Sequence, residues 1–452
     1  MNLLGVSILV VLLAVVLCAS RRIALLAMLA GVLYLTQEQQ VDVLGFNLYA
    51  YRFLNLAGFI RVLSRREFSF RGLTGIDRAL LWLYGYATVV FLLRSVTGQG
   101  YQVGLAVDAF LCYFTFRGLI ADIDDCRWFL RAFLLLLAPF ALLVMVESLT
   151  GHNLFTVLGG IAGEAKWMRH GRPRCFGSFR QPDTLGMFAA SFLPLYVGMI
   201  CIARERWRAI LGVVLCLAIV QASNSGGPVS AAAVGLVGWL FWRVRTTMRK
   251  VRWGLVLMLT AMALTMKAPI WYIFDRASSI TGGDGWHRSY LIDVFYQHLG
   301  RWWLAGMPNT ETSGWMPYDL ATAGGADITN QYLCFGMAAG LGAIGLFIRL
   351  LKRAYSALGL AMSLLRSASA TTDEGEFLLW GLGAVLTVHI INWFGIAYFD
   401  QMYVIWFMQL AAVSSLSNQI VMAAYEEPPA VTVDEVTDVG GSEGVNFVLK
   451  GG

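Results

Sequence analysis

Four arginines and a histidine stand within fifteen residues in the stretch RHGRPRCFGSFRQPD, Arg169 to Asp183. The rest of the chain is apolar, with 58% hydrophobic and 14% charged residues. A guanidinium donates two parallel hydrogen bonds from a planar fork, which matches the oxygens of a phosphate. Several arginines in one loop therefore complement an anion with many oxygens, such as a pyrophosphate. The plainer reading is that they reach lipid headgroups or pair with acidic residues nearby.

Carboxylates that could act as bases lie elsewhere. Asp327 precedes Thr329, Asn330 and Gln331 in GGADITNQYLCFG, where a polar segment enters an apolar run. Asp327 or Thr329 there is placed to cap a helix, and the helix N-terminus itself favours an anion. Asp400, in AYFDQMY, falls at a turn between the last two apolar runs. A charge at mid-membrane depth costs about 2.5–3.5 kcal/mol, so it is paired or functional. The five histidines, His152, His170, His287, His298 and His389, show no metal-ligand spacing. The seven cysteines are scattered singly, without a CxxC pair or a disulfide framework. No Walker A loop, dinucleotide fingerprint or nucleophile elbow is present.

The elements that must position these residues are membrane spans. Apolar runs recur near 3–19, 22–36, 79–94, 102–120, 128–148, 184–202, 208–222, 229–243, 253–272, 331–348, 377–397 and 401–420. Residues 42–60, which contain Asn47, Arg52 and Asn55, are either a further span or a helix in the interface. The expectation is an all-α polytopic membrane protein with about 12 or 13 transmembrane helices. The N-terminal run lacks a basic region before it and reads as a first span rather than a cleaved signal.

Basic clusters set the orientation. They occur in 61–78, 204–208, 243–252 and at Arg349, Lys352 and Arg353, and threading the spans puts all four on one side, the cytoplasm. These clusters account for the net charge of +6 without any nucleic-acid partner. Two long segments, 149–183 and 273–330, then face outward. The second has a net charge of −3, as the topology rule predicts; the first has +3, which opposes it. Residues 353–376 are expected to form an amphipathic helix and polar loop. Residues 1–425 form one transmembrane domain, and 426–452 a disordered acidic cytoplasmic tail.

An ordered set of motifs carries a resemblance. RCFGSFRQPDTLGMFAA (174–190), SNSGG (223–227), GWHRSYLIDVF (285–295), LAGMP (304–308), TNQYL (329–333) and GLGAIG (340–345) occur in that order. Together they resemble the bacterial O-antigen ligase and O-antigen polymerase superfamily of membrane glycosyltransferases. The resemblance spans roughly 75–420 and is best in 170–345. It implies transfer of a glycan from a polyprenyl pyrophosphate carrier to a sugar hydroxyl, on a lipid or another glycan, at the outer face of the inner membrane. It also implies inversion at the anomeric carbon with no metal or other cofactor, and leaves room for other polysaccharide-assembly proteins as partners. Arg174 and Arg288 match the family's pyrophosphate-binding arginines, with Arg172 and Arg180 as neighbours that share the charge. Two departures stand out. The small turn reads Asn224-Ser225-Gly226-Gly227 without the family's arginine, and Thr329-Asn330 stands where the family has His-Asn. A carboxylate can activate an attacking hydroxyl in inverting chemistry. Asp327 is the first candidate for that base, then Asp400, then His287. Thr329, Asn330 and Gln331 would support the acceptor or the loop. A lipid-linked glycan transporter and a non-catalytic component of a secretion complex are the other readings of the same chain.

Overall fold

The computed structural model describes residues 1–43, 46–95, 97–159, 168–169, 171–276, 285–317, 324–368 and 374–426. The acidic tail beyond Glu426, together with Glu164, Lys166, His170, Asp284 and Asp319, lies outside the described residues.

Helices dominate because long apolar runs leave the backbone no other way to satisfy its hydrogen bonds in lipid. In chain order they are α1 (Leu3–Cys18), α2 (Arg21–Tyr34), α3 (Ala50–Ser64), α4 (Gly75–Arg94), α5 (Gln99–Leu119) and α6 (Ile123–Thr150). Then come α7 (Pro182–Ile200), α8 (Arg206–Ala222), α9 (Gly226–Leu240), α10 (Met248–Thr265), α11 (Gly285–Gln297), α12 (Gln331–Ala368), α13 (Glu374–Asn392) and α14 (Gln401–Glu426). Two short antiparallel hairpins interrupt them, β1 (Gln40–Val43) with β2 (Phe46–Tyr49), and β3 (Met168–Arg169) with β4 (Arg172–Pro173). Among the described residues, seven helical stretches are long and apolar enough to cross a membrane, α9 and α10 counting as one. That is the mark of a multi-pass membrane protein.

Local chemistry starts and stops these helices. Thr74 and Asp77 form a capping box at α4: Asp77 N donates to Thr74 Oγ1 at 3.2 Å, and Thr74 N to Asp77 Oδ2 at 2.8 Å. Pro182 opens α7 in the first turn, where a missing N–H costs nothing. Gly151 ends α6 in the left-handed region, with φ +72°.

The structure corrects the sequence expectation at three places. Residues 42–60 are not one span: the first part is the β1–β2 hairpin and only Ala50 onward is helix. Residues 353–368 are not a separate amphipathic helix but the continuation of α12, which kinks at Ala339 and Gly340. The run 253–272 stays helical only to Thr265.

Helices α7 and α14 are the most enclosed. α7 packs on α8, α9 and α13; α14 packs on α5 and α12. Gly186 lets α7 and α9 meet, because a Cβ there would sit 2.6 Å from the ring of Pro228 and 2.5 Å from Ser223 Oγ. By contrast α10 buries none of its residues.

The two ends of the bundle differ. At one, Arg21 and Arg22 hold Asp125 at 2.5 and 2.7 Å, Arg204 holds Glu374 at 2.9 Å, and Arg245 and Arg366 share Glu376 at 3.2 and 2.5 Å. Arg353 packs there beside Gly75. All four basic clusters named above fall at this end. At the other end, the Met1 amino group donates to Gln40 O at 3.2 Å, Gln39 to the Leu158 carbonyl, and Ser178 Oγ to Leu33 O at 2.5 Å. The segment around Arg174 and the described parts of 273–330 lie at this second end.

Several charges inside apolar helices are paired. Asp108 pairs with Arg52 at 2.7 Å and Arg131 with Glu205 at 2.7 Å. Arg117 holds Asp77 at 3.1 Å and Ser415 at 2.7 Å, while Tyr113 donates to the same carboxylate at 2.5 Å. Removing one partner of a buried pair leaves the other charge uncompensated. Asp77→Ala is therefore expected to destabilise the protein by about 3–5 kcal/mol. A thermal unfolding series in detergent checks this; the double replacement Asp77→Leu/Arg117→Met should recover most of the loss.

Candidate functional site

The site is built around the first turn of α9. Ser225 precedes the helix, and its side chain does not cap it. Pro228 has no N–H, so Gly226 and Gly227 supply the N–H groups of that turn that have no partner within the helix. A helix N-terminus of this kind carries partial positive charge and binds anions.

Two arginines converge on this turn. Arg174 donates through Nη2 to Ser225 Oγ at 2.8 Å and to Asp183 Oδ2 at 3.1 Å. Arg288, on the first turn of α11, lies against the same turn: a Cβ on Gly227 would be 3.7 Å from its Nη2. Gly395 backs Arg288 from the far side, since a Cβ there would come within 2.9 Å of Arg288 Nε. The small-residue turn that has no arginine of its own thus receives two from distant parts of the chain.

The segment carrying Arg174 is held rigidly. Glu147, buried at the end of α6, accepts from Phe176 N at 2.8 Å and Gly177 N at 2.9 Å. Cys175 N donates to Ala222 O at 3.1 Å. Asn224 sits in the left-handed region with φ +45°, and its Nδ2 donates to Arg169 O at 2.9 Å and Arg172 O at 3.2 Å. This pins the β3–β4 hairpin to the α9 turn. Arg172 itself is exposed on that hairpin.

Sequence reasoning missed Glu147 and Asn392. Asn392 ends α13, is 7% exposed, and its Oδ1 would lie 3.6 Å from a Cβ on Gly227. Its Nδ2 is shielded from solvent and placed to donate to the Tyr398 hydroxyl. The only signal in the sequence was a polar residue in the last turn of an apolar run, in each case.

The proposed bases separate. His287, the neighbour of Arg288 on α11, is buried, and Asp327 lies within its electrostatic reach. Asp327 is exposed on its loop, yet the protein crowding its carboxyl raises its pKa above the ordinary carboxylate value. His287 opposes that rise. Asp400 belongs to another group. It faces Arg180 at 3.7 Å and takes a left-handed backbone, φ +51°. Burial raises its pKa, Arg180 and Arg52 oppose the rise, and Asp108 adds to it. Arg180 therefore turns to Asp400, while Arg174 turns to Asp183.

The residues after Asp327 do structural work. Asn330, not Asp327 or Thr329, caps α12: its Oδ1 accepts from Leu333 N at 3.1 Å. Gln331 N donates to Trp393 O at 2.9 Å, and its Oε1 accepts from Tyr398 N at 2.8 Å. Both tie the loop to the α13–α14 connection. Thr329 N donates to Asp327 O at 3.1 Å, which folds the loop back on itself. Among the described residues no group of three His, Cys, Asp or Glu is placed to hold a metal ion.

In sequence comparison no protein-family model and no curated protein matches the chain.

Proposed function

We propose that the protein transfers a glycan from a polyprenyl pyrophosphate carrier to a sugar hydroxyl, as an O-antigen-type polymerase or ligase does. In this reading it sits in a bacterial inner membrane with 12 or so spans, and the end bearing Arg174 faces outward. The observation that carries the reading is the meeting of Arg174, Arg288 and the uncapped first turn of α9 at one point. A pyrophosphate has the charge and the oxygens to use all of them.

The mechanism follows from the charges. The acceptor hydroxyl loses its proton to Asp327 as its oxygen attacks the anomeric carbon. The bond from that carbon to the pyrophosphate oxygen breaks on the opposite face, which inverts the centre. Charge developing on the leaving pyrophosphate is met by Arg174, Arg288 and the Gly226 and Gly227 N–H groups, so no proton donor is needed. The lipid tail lies in the bilayer, where α10 presents apolar residues such as Trp253, Leu257 and Leu264 away from the protein. The transporter reading calls for ionisable groups at the midplane of facing helices. Asp108, Arg117 and Arg131 are instead held in ion pairs.

Deleting the gene in its host and analysing the lipid-linked glycans tests the proposal. Short units accumulating on the carrier mark a polymerase; long polymer left on the carrier marks a ligase. Unchanged glycan on both carrier and final acceptor would refute the enzyme reading.

A further inference from the structure

A second group of charges lies at the same end of the bundle and is built differently. Arg52 from α3 pairs with Asp108 from α5 at 2.7 Å, and Arg180 faces Asp400 at 3.7 Å. Cys112 Sγ on α5 meets Val404 O on α14 at 4.0 Å, and Asp108 and Asp400 each stand four residues earlier, so the four form one cluster from four separate segments. Two positive and two negative side chains cancel. An anion therefore gains little from this cluster.

The cluster has features of a ligand site. Asp400 holds a left-handed backbone conformation that side chains other than glycine rarely adopt, a strain concentrated at functional positions. Its Oδ2 is shielded from solvent and meets Arg180 at 3.7 Å, a long contact. Arg180 is half exposed and within reach of a bound molecule. Aromatic rings border the cluster. Arg52 lies 5.6 Å over the Tyr49 ring. Tyr101, on the first turn of α5, is 70% exposed and stands one turn from Gly104, where a Cβ would lie 3.9 Å from Arg52 Nη2.

Paired carboxylates and guanidinium groups next to exposed rings suit an uncharged, hydroxyl-rich molecule. Hydroxyls donate to the carboxylates and accept from the arginines, and the C–H face of a sugar ring packs on tyrosine. A path also joins the two sites. Gln331, four residues after Asp327, accepts through Oε1 from Tyr398 N at 2.8 Å, and Tyr398 lies two residues before Asp400.

We propose that the cluster of Arg52, Asp108, Arg180 and Asp400, bordered by Tyr49 and Tyr101, binds the neutral saccharide portion of the acceptor. The saccharide runs over Tyr101 and presents its terminal hydroxyl toward Asp327. This rests on the glycan-transfer reading above and assigns that reaction its acceptor side. Asp400 and Arg180 then serve acceptor binding rather than base catalysis or pyrophosphate binding.

The test places a photo-crosslinking benzoylphenylalanine at position 101, and in a separate protein at position 286 on α11 beside Arg288. Both are expressed in host cells making the polysaccharide. After irradiation and purification, mild acid cleaves the carrier, and the protein is examined for attached sugar. The proposal expects a sugar adduct at position 101 that persists in the Arg174→Ala/Arg288→Ala background. Asp400→Asn, nearly the same shape, is expected to lower that adduct about ten-fold, the effect of one charge-assisted hydrogen bond. Chromatographic monodispersity confirms that each variant is folded. An adduct at 286 with none at 101 overturns the acceptor site and leaves the transfer reading standing. So does an adduct at 101 that disappears with the two arginines, because it then comes from the donor. Sugar at neither position, with normal polymer in the double arginine variant, refutes the transfer reading and the acceptor site with it.

Discussion

On the proposed reaction, Arg174→Ala is expected to lower glycan transfer by about 10²–10³-fold, the effect of removing one preorganised group that stabilises a developing oxyanion. Arg288→Ala gives a loss of the same order. The double variant falls short of the product of the two, because both guanidinium groups act on the same leaving pyrophosphate. The measurement is conversion of lipid-linked glycan by the purified protein in vesicles, or polymer length in a complemented deletion strain. Arg174→Lys recovers little. A lysine offers a point charge in place of a fork, and Arg174 already spends one nitrogen on Ser225 and Asp183. Polymer of normal length from both single variants would remove the α9 turn from the mechanism.

Asp327→Asn is expected to cost about 10²–10⁴-fold in turnover, the contribution of a positioned general base. Its pH dependence gives a sharper check. The base works only when ionised, so the rate falls as pH drops through its pKa. The protein crowding its carboxyl has raised that pKa, so the acid limb of the rate profile lies above the ordinary carboxylate range. His287 in its positive form opposes the rise. His287→Asn therefore moves the acid limb to higher pH while retaining activity at alkaline pH. If His287 were the base, the same variant would abolish activity at every pH. If Asp327→Asn turned over normally and Asp400→Asn did not, the base would be Asp400 and the acceptor site proposed above would fall.

Parts of the site were legible before any coordinates. The basic segment around Arg174 was conspicuous because its charge opposes the topology rule, and the motif order singled out Arg288. Hydropathy runs placed most helices within a few residues, since hydrophobicity along one segment is a local property. The failures have physical causes as well. Residues 42–60 looked continuous because the hairpin Gln40–Tyr49 is itself rich in apolar residues, and hydropathy does not separate strand from helix over so short a run. Three polar residues within four positions, Asp327, Thr329 and Asn330, are all good helix caps, and only backbone geometry chose Asn330. Glu147 and Asn392 carried no motif, because a carboxylate that binds two backbone N–H groups leaves no pattern around it in the sequence.

The sequence by itself determined that this chain is a helical, multi-pass membrane protein and that its basic clusters share one end. Those properties follow from segment hydrophobicity and charge count, which each stretch of chain carries alone. The tertiary structure decided which charges meet. It brought Arg288 to the turn beside Arg174 and gave Arg180 to Asp400. Such pairings join residues far apart in the chain, and they depend on how close the helices can pack. That closeness is set by side chains such as Gly186 and Gly395, where a missing Cβ makes room for Pro228 and Arg288.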